Sequence, residues 1–205
     1  QQVAESSTST KQRTGEDQSD YLDQDFSRQL FGQLDQQTGY ALVHGVGDAQ
    51  LASQILRDTN FNLVCMEEDP LIAKKTRVRF NDKAQYGKRI VVHKKVGTQL
   101  PYPDFMFNFI CVDIGALKGK EPLLSEYYRL LRPFGTLVIG GISGAGDSLT
   151  LPKKRLKELV ANGGDIDGKF HALKDQQWHV INRGKLPGSG EWSHQYANPG
   201  NTACS

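Results

Sequence analysis

Short apolar segments alternate with helix-like segments along the middle of the chain. Five segments rich in β-branched and aromatic residues predict strands: 40–45, 61–68, 89–95, 105–113 and 135–141. Helices are predicted between them over 48–58, 70–80 and 121–133. Strands that alternate with helices predict a parallel sheet covered on both faces. Because crossovers between parallel strands are right-handed, the expected arrangement is doubly wound.

The C-terminal part of this pattern differs. A basic helix is predicted over 152–164, followed by two strands at 169–174 and 178–184. The few residues between these strands suffice for a hairpin but not for a crossover, so the pair is expected to be antiparallel. The predicted fold class is therefore α/β: a doubly wound, mostly parallel, Rossmann-like sheet with a C-terminal antiparallel hairpin.

The chain divides into one domain and two flanking segments. Residues 1–20 are almost entirely polar and are predicted to be disordered. An amphipathic helix begins near Tyr21, and the domain is expected to span residues 21–186. Residues 187–205 are rich in turn-forming residues and predict a linker. The first residue is Gln rather than Met, which removal of an export signal or truncation would explain; an exported protein is favoured over a cytoplasmic one.

Composition excludes several classes of function. A net charge of +2 is too small to indicate binding to nucleic acid or to a membrane surface. No apolar run has the length of a membrane-spanning helix. The three cysteines form no CxxC motif and no cluster with histidines, so neither a disulfide framework nor a metal site is predicted.

The stretch LVHGVGDAQLA, residues 42–52, carries the strongest functional signal. Gly45 and Gly47 fall between the first predicted strand and a helix, where glycines let backbone N–H groups approach a ligand. A turn needed only by the fold would use the same glycines. Glu67 lies 20 residues beyond Gly47, at the end of the second strand. A carboxylate there can accept hydrogen bonds from both ribose hydroxyls of an adenosine cofactor, although a solvated acid is the plainer interpretation.

The spacing of the glycines discriminates between two cofactors. A dinucleotide loop needs a third glycine at the position of Gln50, whose side chain would obstruct close packing of the helix on the strand. S-adenosylmethionine has no pyrophosphate to cradle. The terminal antiparallel hairpin also belongs to proteins that bind it, so S-adenosylmethionine is the preferred cofactor.

Over residues 38–184 the sequence resembles the class I S-adenosylmethionine-dependent methyltransferases. The resemblance rests on LVHGVGDAQLA, NLVCMEEDPLIAKKTR, QLPYPDFMFNFICV and EYYRLLRPFGTLVIGG, of which the last is the most specific. It implies binding of the cofactor by a set of residues at the strand ends: His44, Gly45, Val46, Gly47, Asp48, Glu67, Glu68, Val96 and Gly97. It also implies a role for Asp113, as a base for the methyl acceptor or as a partner of the methionine ammonium group, although an Asp there commonly caps a strand end.

The departures from the family pattern concern the cofactor. Val43 replaces an acid two residues before the first glycine, and Ala49 replaces the third glycine of the loop. Val96 aligns with the acid that contacts adenine, and a Phe-Asp pair has become Phe107-Asn108. Each lost charged hydrogen bond costs about 1.5–3 kcal/mol, so two could weaken binding by roughly two to four orders of magnitude.

A narrower similarity concerns the C-terminal residues. Together with VHGVGDAQL and LPYPDFMFNFICV, the stretch GEWSHQYANPGNTACS resembles the junction between a methyltransferase-like domain and a pyrroloquinoline-quinone-type β-propeller in planctomycete proteins. Two functions follow as expectations. One is a methyltransferase with an unidentified acceptor and a partly degenerate cofactor site. The other is a non-catalytic structural or interaction module attached to a propeller.

Overall fold

The structure, a computed structural model, describes residues 24–32, 34, 36–94, 99–117, 122–140, 169–173, 178–186 and 189. Its helices in these ranges are α1 (Gln24–Phe31), α2 (Gln50–Asp58), α3 (Pro70–Asp82) and α4 (Leu124–Leu130). Its strands are β1 (Thr38–His44), β2 (Asn60–Glu67), β3 (Ile90–Lys94), β4 (Phe107–Asp113), β5 (Leu131–Gly140), β6 (Lys169–Leu173) and β7 (Trp178–Asn182). A 3-10 turn, Gly115–Leu117, follows β4.

The strands belong to one seven-stranded sheet in the order β3-β2-β1-β4-β5-β7-β6. Strands β1 to β5 are parallel to one another. Strand β7 runs antiparallel to β5, and β6 runs antiparallel to β7. The doubly wound sheet with a C-terminal antiparallel hairpin is therefore confirmed. Strands β2 and β3 lie on one side of β1, and β4 and β5 lie on the other side. The strand order therefore reverses between β1 and β4.

Two hydrophobic clusters cover the two faces of the sheet. Ala41 and Val43 of β1 belong to one cluster, together with side chains of α2 and α3. Leu42 belongs to the other, which contains Tyr127 and Tyr128 of α4. Both tyrosines are buried. Because alternate residues of a central strand meet apolar cores on opposite sides, these strands are continuous apolar runs instead of alternating polar and apolar residues.

The start of α3 is determined locally by Asp69 and Pro70. The Asp69 carboxylate accepts hydrogen bonds from the N–H groups of Leu71, at 2.9 Å, and Ile72, at 3.4 Å. Pro70 occupies the first turn, where its missing N–H leaves no helical hydrogen bond unmade. This cap places the start of α3 beside the end of β2, and α3 begins at Pro70, where the predicted helix 70–80 also begins.

The start of α2 differs from the prediction. The predicted helix 48–58 begins with Asp48, a residue type suited to the N-cap, but the N-cap residue of α2 is Ala49, whose backbone has φ 65°. The Asp48 carboxylate instead accepts the N–H of Gln50 at 3.1 Å, across a turn. The left-handed conformation of Ala49 redirects the chain, so the helix begins at Gln50 rather than at Asp48.

The junction between α4 and β5 also differs. A helix was predicted through residue 133, but α4 ends at Leu130, and Leu131 already has extended backbone, with ψ 126°. Pro133 disfavours helical backbone at the residue before it, which shortens the helix. Leu131 pairs instead with Phe107 of β4, and the register shifts between Phe107 and Phe109. Phe134, in the turn within β5, has φ 60° and is 61% exposed.

The hairpin corrects one pairing suggested by the sequence. In strands predicted at 169–174 and 178–184, His171 and His179 could face one another across the hairpin, but the register pairs His179 with Ala172. The predicted disordered segment 1–20, the helix at 152–164 and nearly all of residues 187–205 lie outside the described residues. Among the residues that are described, no helix has the length and hydrophobicity needed to cross a membrane.

Candidate cofactor site

The reversal of strand order brings together three predicted residues from distant parts of the sequence. His44 ends β1, Glu67 ends β2 and Asp113 ends β4. Since β1 pairs in parallel with both β2 and β4, these residues lie at the same edge of the sheet. The carboxyl edge at a reversal of strand order is the usual ligand-binding position of open α/β sheets.

Packing leaves no room for a side chain at Gly45 but leaves room at Gly47. Gly45 has φ 83°, and a Cβ added there would lie 2.7 Å from the carbonyl oxygen of Asp113 and 2.9 Å from the Cβ of Ala116. Packing between the end of β1 and the turn after β4 therefore requires Gly45. At Gly47, with φ 54°, an added Cβ would meet only the Ala116 Cβ, at 3.9 Å. Local packing leaves room beside Gly47.

The remaining residues of the glycine loop (45–49) show how this short turn is held. The side chain of Val46 is buried, and its carbonyl oxygen accepts the N–H of Ala49 at 2.9 Å. Asp48 is exposed. The N–H of Gly45 donates to the carbonyl oxygen of Met66 in β2 at 3.1 Å, which fixes the loop against the neighbouring strand.

Glu67 is a charged group that bonds directly to the backbone of this loop. Its side chain is buried, at 3% exposure. One carboxylate oxygen accepts the N–H of Val46 at 3.0 Å, and the other accepts the N–H of Asp69 at 3.0 Å. The carboxylate thus joins the glycine loop to the start of α3. Because an ionised carboxylate has about four acceptor positions, these two bonds leave capacity for further donors.

A cavity of about 300 Å³, here called the switch-point cavity, opens at this edge. Its walls include His44 and Gly45 at the end of β1, Glu67 and Glu68 at the end of β2, and the residues Asp69, Pro70, Leu71, Ala116 and Leu117. Its volume is at the lower end of the range for small-molecule sites, about 300–1,000 Å³. Three carboxylates and no Lys or Arg line it among the described residues, which favours a cationic ligand over an anionic one.

His44 is buried beside this cavity and is held by Tyr127, which is not among the site residues predicted from the sequence. Its Nδ1 shares a hydrogen bond with the hydroxyl group of Tyr127, on α4. The two rings are 5.7 Å apart and nearly perpendicular. Burial raises the pKa of Tyr127, so the hydroxyl stays protonated. Because the two residues are 83 positions apart in the sequence, no local pattern indicates that they form a pair.

The Asp113 carboxylate has a structural partner. Its Oδ1 accepts hydrogen bonds from the N–H groups of Gly115, at 3.0 Å, and Ala116, at 3.4 Å. The side chain is 5% exposed. These bonds cap the 3-10 turn after β4, and the same turn packs against Gly45.

Val96 and Gly97 lie outside the described residues, and the segment that follows them is fixed to α4. Arg129 donates to the carbonyl oxygens of Leu100, at 3.2 Å, and Tyr102, at 3.0 Å. It also pairs with Asp104 at 2.5 Å and with Glu126 at 2.9 Å. The two stretches that carry much of the family resemblance, LPYPD and EYYRLLRP, therefore contact each other directly.

Two of the departures from the family pattern can be located. Val43 is fully buried in the hydrophobic cluster that contacts α2. Asn108 lies at the opposite edge of the sheet from the cavity, where its Oδ1 accepts the N–H of Tyr40 at 3.3 Å and its Nδ2 donates to Gln36 at 3.0 Å. Asn108 therefore organises the start of the sheet and is remote from the switch-point cavity.

No metal centre emerges from the part of the chain that the structure describes. No group of three or more His, Cys, Asp or Glu residues there could hold a metal ion. Cys65 and Cys111 are free and buried, and burial raises the pKa of both thiols. Both cysteines are therefore small residues of the core.

No protein-family model matches this sequence, and no curated protein matches it either. Comparison with solved structures is informative about the fold. A Methanococcus maripaludis protein assigned to the S-adenosyl-L-methionine-dependent methyltransferases superposes with a TM-score of 0.64 at 15% identity, over 80% of this chain and 85% of that one. Geranyl diphosphate methyltransferase in complex with S-adenosylmethionine gives 0.59 at 9% identity, over 78% and 84%.

A third similar structure carries a different name. The [4+2]-cyclase SpnF superposes with a TM-score of 0.59 at 15% identity, over 79% of this chain and 81% of that chain. Likeness at these identities shows a shared fold, that of S-adenosylmethionine-dependent methyltransferases. It leaves the reaction to be argued from the site, because one fold serves several activities.

Proposed function

We propose that this protein binds S-adenosylmethionine in the switch-point cavity and transfers its methyl group to an acceptor. The observation that carries the proposal is the position of Glu67. A buried carboxylate at the end of β2 borders the cavity and hydrogen-bonds to the N–H of Val46 in the glycine loop. This is the place where a carboxylate can accept both ribose hydroxyls of an adenosine group.

The charge of the cavity supports the same ligand. The cofactor has a sulfonium centre and an ammonium group, and Glu67, Glu68 and Asp69 supply negative charge along one side. A dinucleotide would place a pyrophosphate among these carboxylates, which repulsion disfavours. In this proposal residues 44–48 contact the cofactor from β1, Glu67 and Glu68 contact it from β2, and Val96 and Gly97 border its adenine.

When bound, the cofactor would supply an activated methyl group: an acceptor nucleophile attacks the methyl carbon in line, the bond from carbon to the sulfonium sulfur breaks, and S-adenosylhomocysteine leaves. The contribution of the protein is mainly orientation. Glu67 fixes the ribose, and Leu71 and Leu117 provide apolar wall. The pairing of His44 with Tyr127 holds the floor of the cavity at the end of β1. Asp113 is the proposed acid nearest the acceptor side.

Calorimetric titration with S-adenosylhomocysteine tests the binding step. Glu67→Gln keeps the size of the side chain but removes its charge, and we expect binding to weaken about 10- to 100-fold. The comparison variant is Glu68→Gln, which removes the neighbouring charge on the cavity wall; because Glu68 is more exposed than Glu67, we expect the smaller change, less than about fivefold. Equal losses in the two variants would refute the assigned role of Glu67.

Asp113→Asn separates chemistry from structure. The amide oxygen of Asn can still accept the N–H groups of Gly115 and Ala116, so the cap of the 3-10 turn is preserved. Once an acceptor is known, a role as base predicts a fall in kcat with little change in melting temperature. An unchanged kcat would leave Asp113 as a structural cap.

A second function, that of a non-catalytic interaction module, is supported by particular observations. Val43 occupies the position of an acid, Ala49 that of a glycine, and Gly45 is explained by packing alone. The attached β-propeller rests on the resemblance of residues 192–205, which lie outside the described ranges. Absence of binding at millimolar S-adenosylhomocysteine, from a folded sample, would favour the module, and propeller repeats after Ser205 in a longer chain would support the attachment.

A further inference from the structure

We propose that a second cavity, on the outer side of the glycine loop, binds a small anion such as a phosphate group. This basic cavity has a volume of about 480 Å³ and is lined by Gly47, Asp48, Ala49, Ile72, Lys75, Thr76 and Arg79. Among the described residues, the two cavities have no lining residue in common. The proposal concerns a separate site and does not depend on binding of S-adenosylmethionine.

The two cavities differ in charge. The switch-point cavity is bordered by the carboxylates of Glu67, Glu68 and Asp69. The basic cavity is bordered by Lys75 and Arg79, four residues apart on α3 and therefore on one face of that helix. The only acid among its described lining residues is Asp48, whose carboxylate accepts the N–H of Gln50 at 3.1 Å. Opposite charges on two sides of one loop select different ligands.

Arg79 connects the basic cavity to the glycine loop. Its Nη1 donates to the carbonyl oxygen of Asp48 at 3.0 Å. A guanidinium group has five donors in a planar fork, so it can hold a backbone carbonyl and an anion at the same time. An anion seated here would lie beside the backbone of Gly47 and Asp48.

The rest of the lining provides shape and a further cation. The Thr76 side chain is 3% exposed, and its hydroxyl donates to the carbonyl oxygen of Ile72 at 2.9 Å. With that hydroxyl satisfied, Thr76 and Ile72 form an apolar floor of the cavity. Lys75 is exposed at the rim, where its flexible ammonium group can reach an anion as a point charge. The volume exceeds that of a bare phosphate, so a small phosphorylated metabolite also fits this chemistry.

The test is an amide chemical-shift titration of the full chain with inorganic phosphate and, separately, with glycerol 3-phosphate, at constant ionic strength. We expect saturable shifts at Gly47 and Asp48 with a Kd of about 1 mM or lower. Tighter binding of glycerol 3-phosphate would identify a phosphorylated metabolite as the ligand. Equal affinities would identify the free anion.

Lys75→Gln and Lys74→Gln form a matched pair, because both lysines are exposed on α3 and only Lys75 lines the basic cavity. We expect Lys75→Gln to raise the Kd about five- to tenfold and Lys74→Gln to raise it less than about twofold. Neither change touches a core side chain, and unchanged melting temperatures would verify folding. Non-saturating shifts in the wild-type protein, or equal effects of the two substitutions, would overturn the proposal.

Discussion

Removing the guanidinium group of Arg129 should destabilise the protein by about 2–3 kcal/mol. The side chain is 27% exposed, so its ion pairs with Glu126 and Asp104 are each discounted to about 0.5 kcal/mol. Its bonds to the carbonyl oxygens of Leu100 and Tyr102 are each assigned about 1 kcal/mol for the same reason. Arg129→Gln cannot reach this set of acceptors.

The assays are equilibrium unfolding in urea, which gives the free energy of unfolding, and thermal unfolding, both followed by circular dichroism. For a chain of this size, a loss of about 2–3 kcal/mol lowers the melting temperature by roughly 5–10 °C. Arg57→Gln is the control: Arg57 pairs with the adjacent Asp58 at 2.7 Å on the exposed part of α2, and its loss should cost less than about 0.5 kcal/mol. Equal effects of the two substitutions would refute the view that Arg129 anchors the loop that follows β3.

Three further predictions concern single groups. The hydrogen bond from Arg129 lowers the pKa of Glu126 in the folded protein. The stability that this bond contributes is therefore present above the unfolded pKa of about 4.3 and is lost as pH falls through the lower folded pKa. The difference in unfolding free energy between wild type and Arg129→Gln should narrow below pH 4, and a constant difference would contradict this prediction. Tyr127→Phe removes the hydroxyl bound to the buried His44 and should cost about 1–2 kcal/mol in urea unfolding, against no loss if the contact is incidental. Phe134→Gly relieves a left-handed backbone at an exposed residue and should stabilise by about 0.5–1 kcal/mol, whereas a loss of stability would show that the ring packs usefully.

Much of the fold follows from local sequence patterns. The continuous apolar runs at 61–68 and 105–113 predicted buried parallel strands, and the short link before β7 predicted the antiparallel pair. The predicted ends of two helices were wrong, because each end depends on the backbone conformation or strand pairing of one residue. Ala49 adopts a left-handed conformation, which an alanine in the sequence does not predict. This conformation moves the start of α2 to Gln50. Long-range pairing of Leu131 with Phe107 extended β5 into the predicted helix.

The candidate site was predictable only in part. Residue spacing located Gly45, Gly47 and Glu67 at one edge of the sheet, because strand order fixes where strand ends meet. Spacing did not show that Glu67 joins Val46 to Asp69, or that Tyr127 contacts His44. Such contacts depend on how helices pack over the sheet, which a single sequence does not determine. The bond between Glu67 and Val46 also shows that a side chain from β2 holds the glycine loop in place.

The most direct test of the central claim is a crystal structure of the protein grown with millimolar S-adenosylhomocysteine. The proposed function predicts ligand in the switch-point cavity, with ribose hydroxyl oxygens about 2.5–3.0 Å from the Glu67 carboxylate. The N–H groups of Val46 and Asp69 should keep their bonds to that carboxylate. A well-ordered structure with no ligand in this cavity, or with ligand bound elsewhere, would contradict the proposed function.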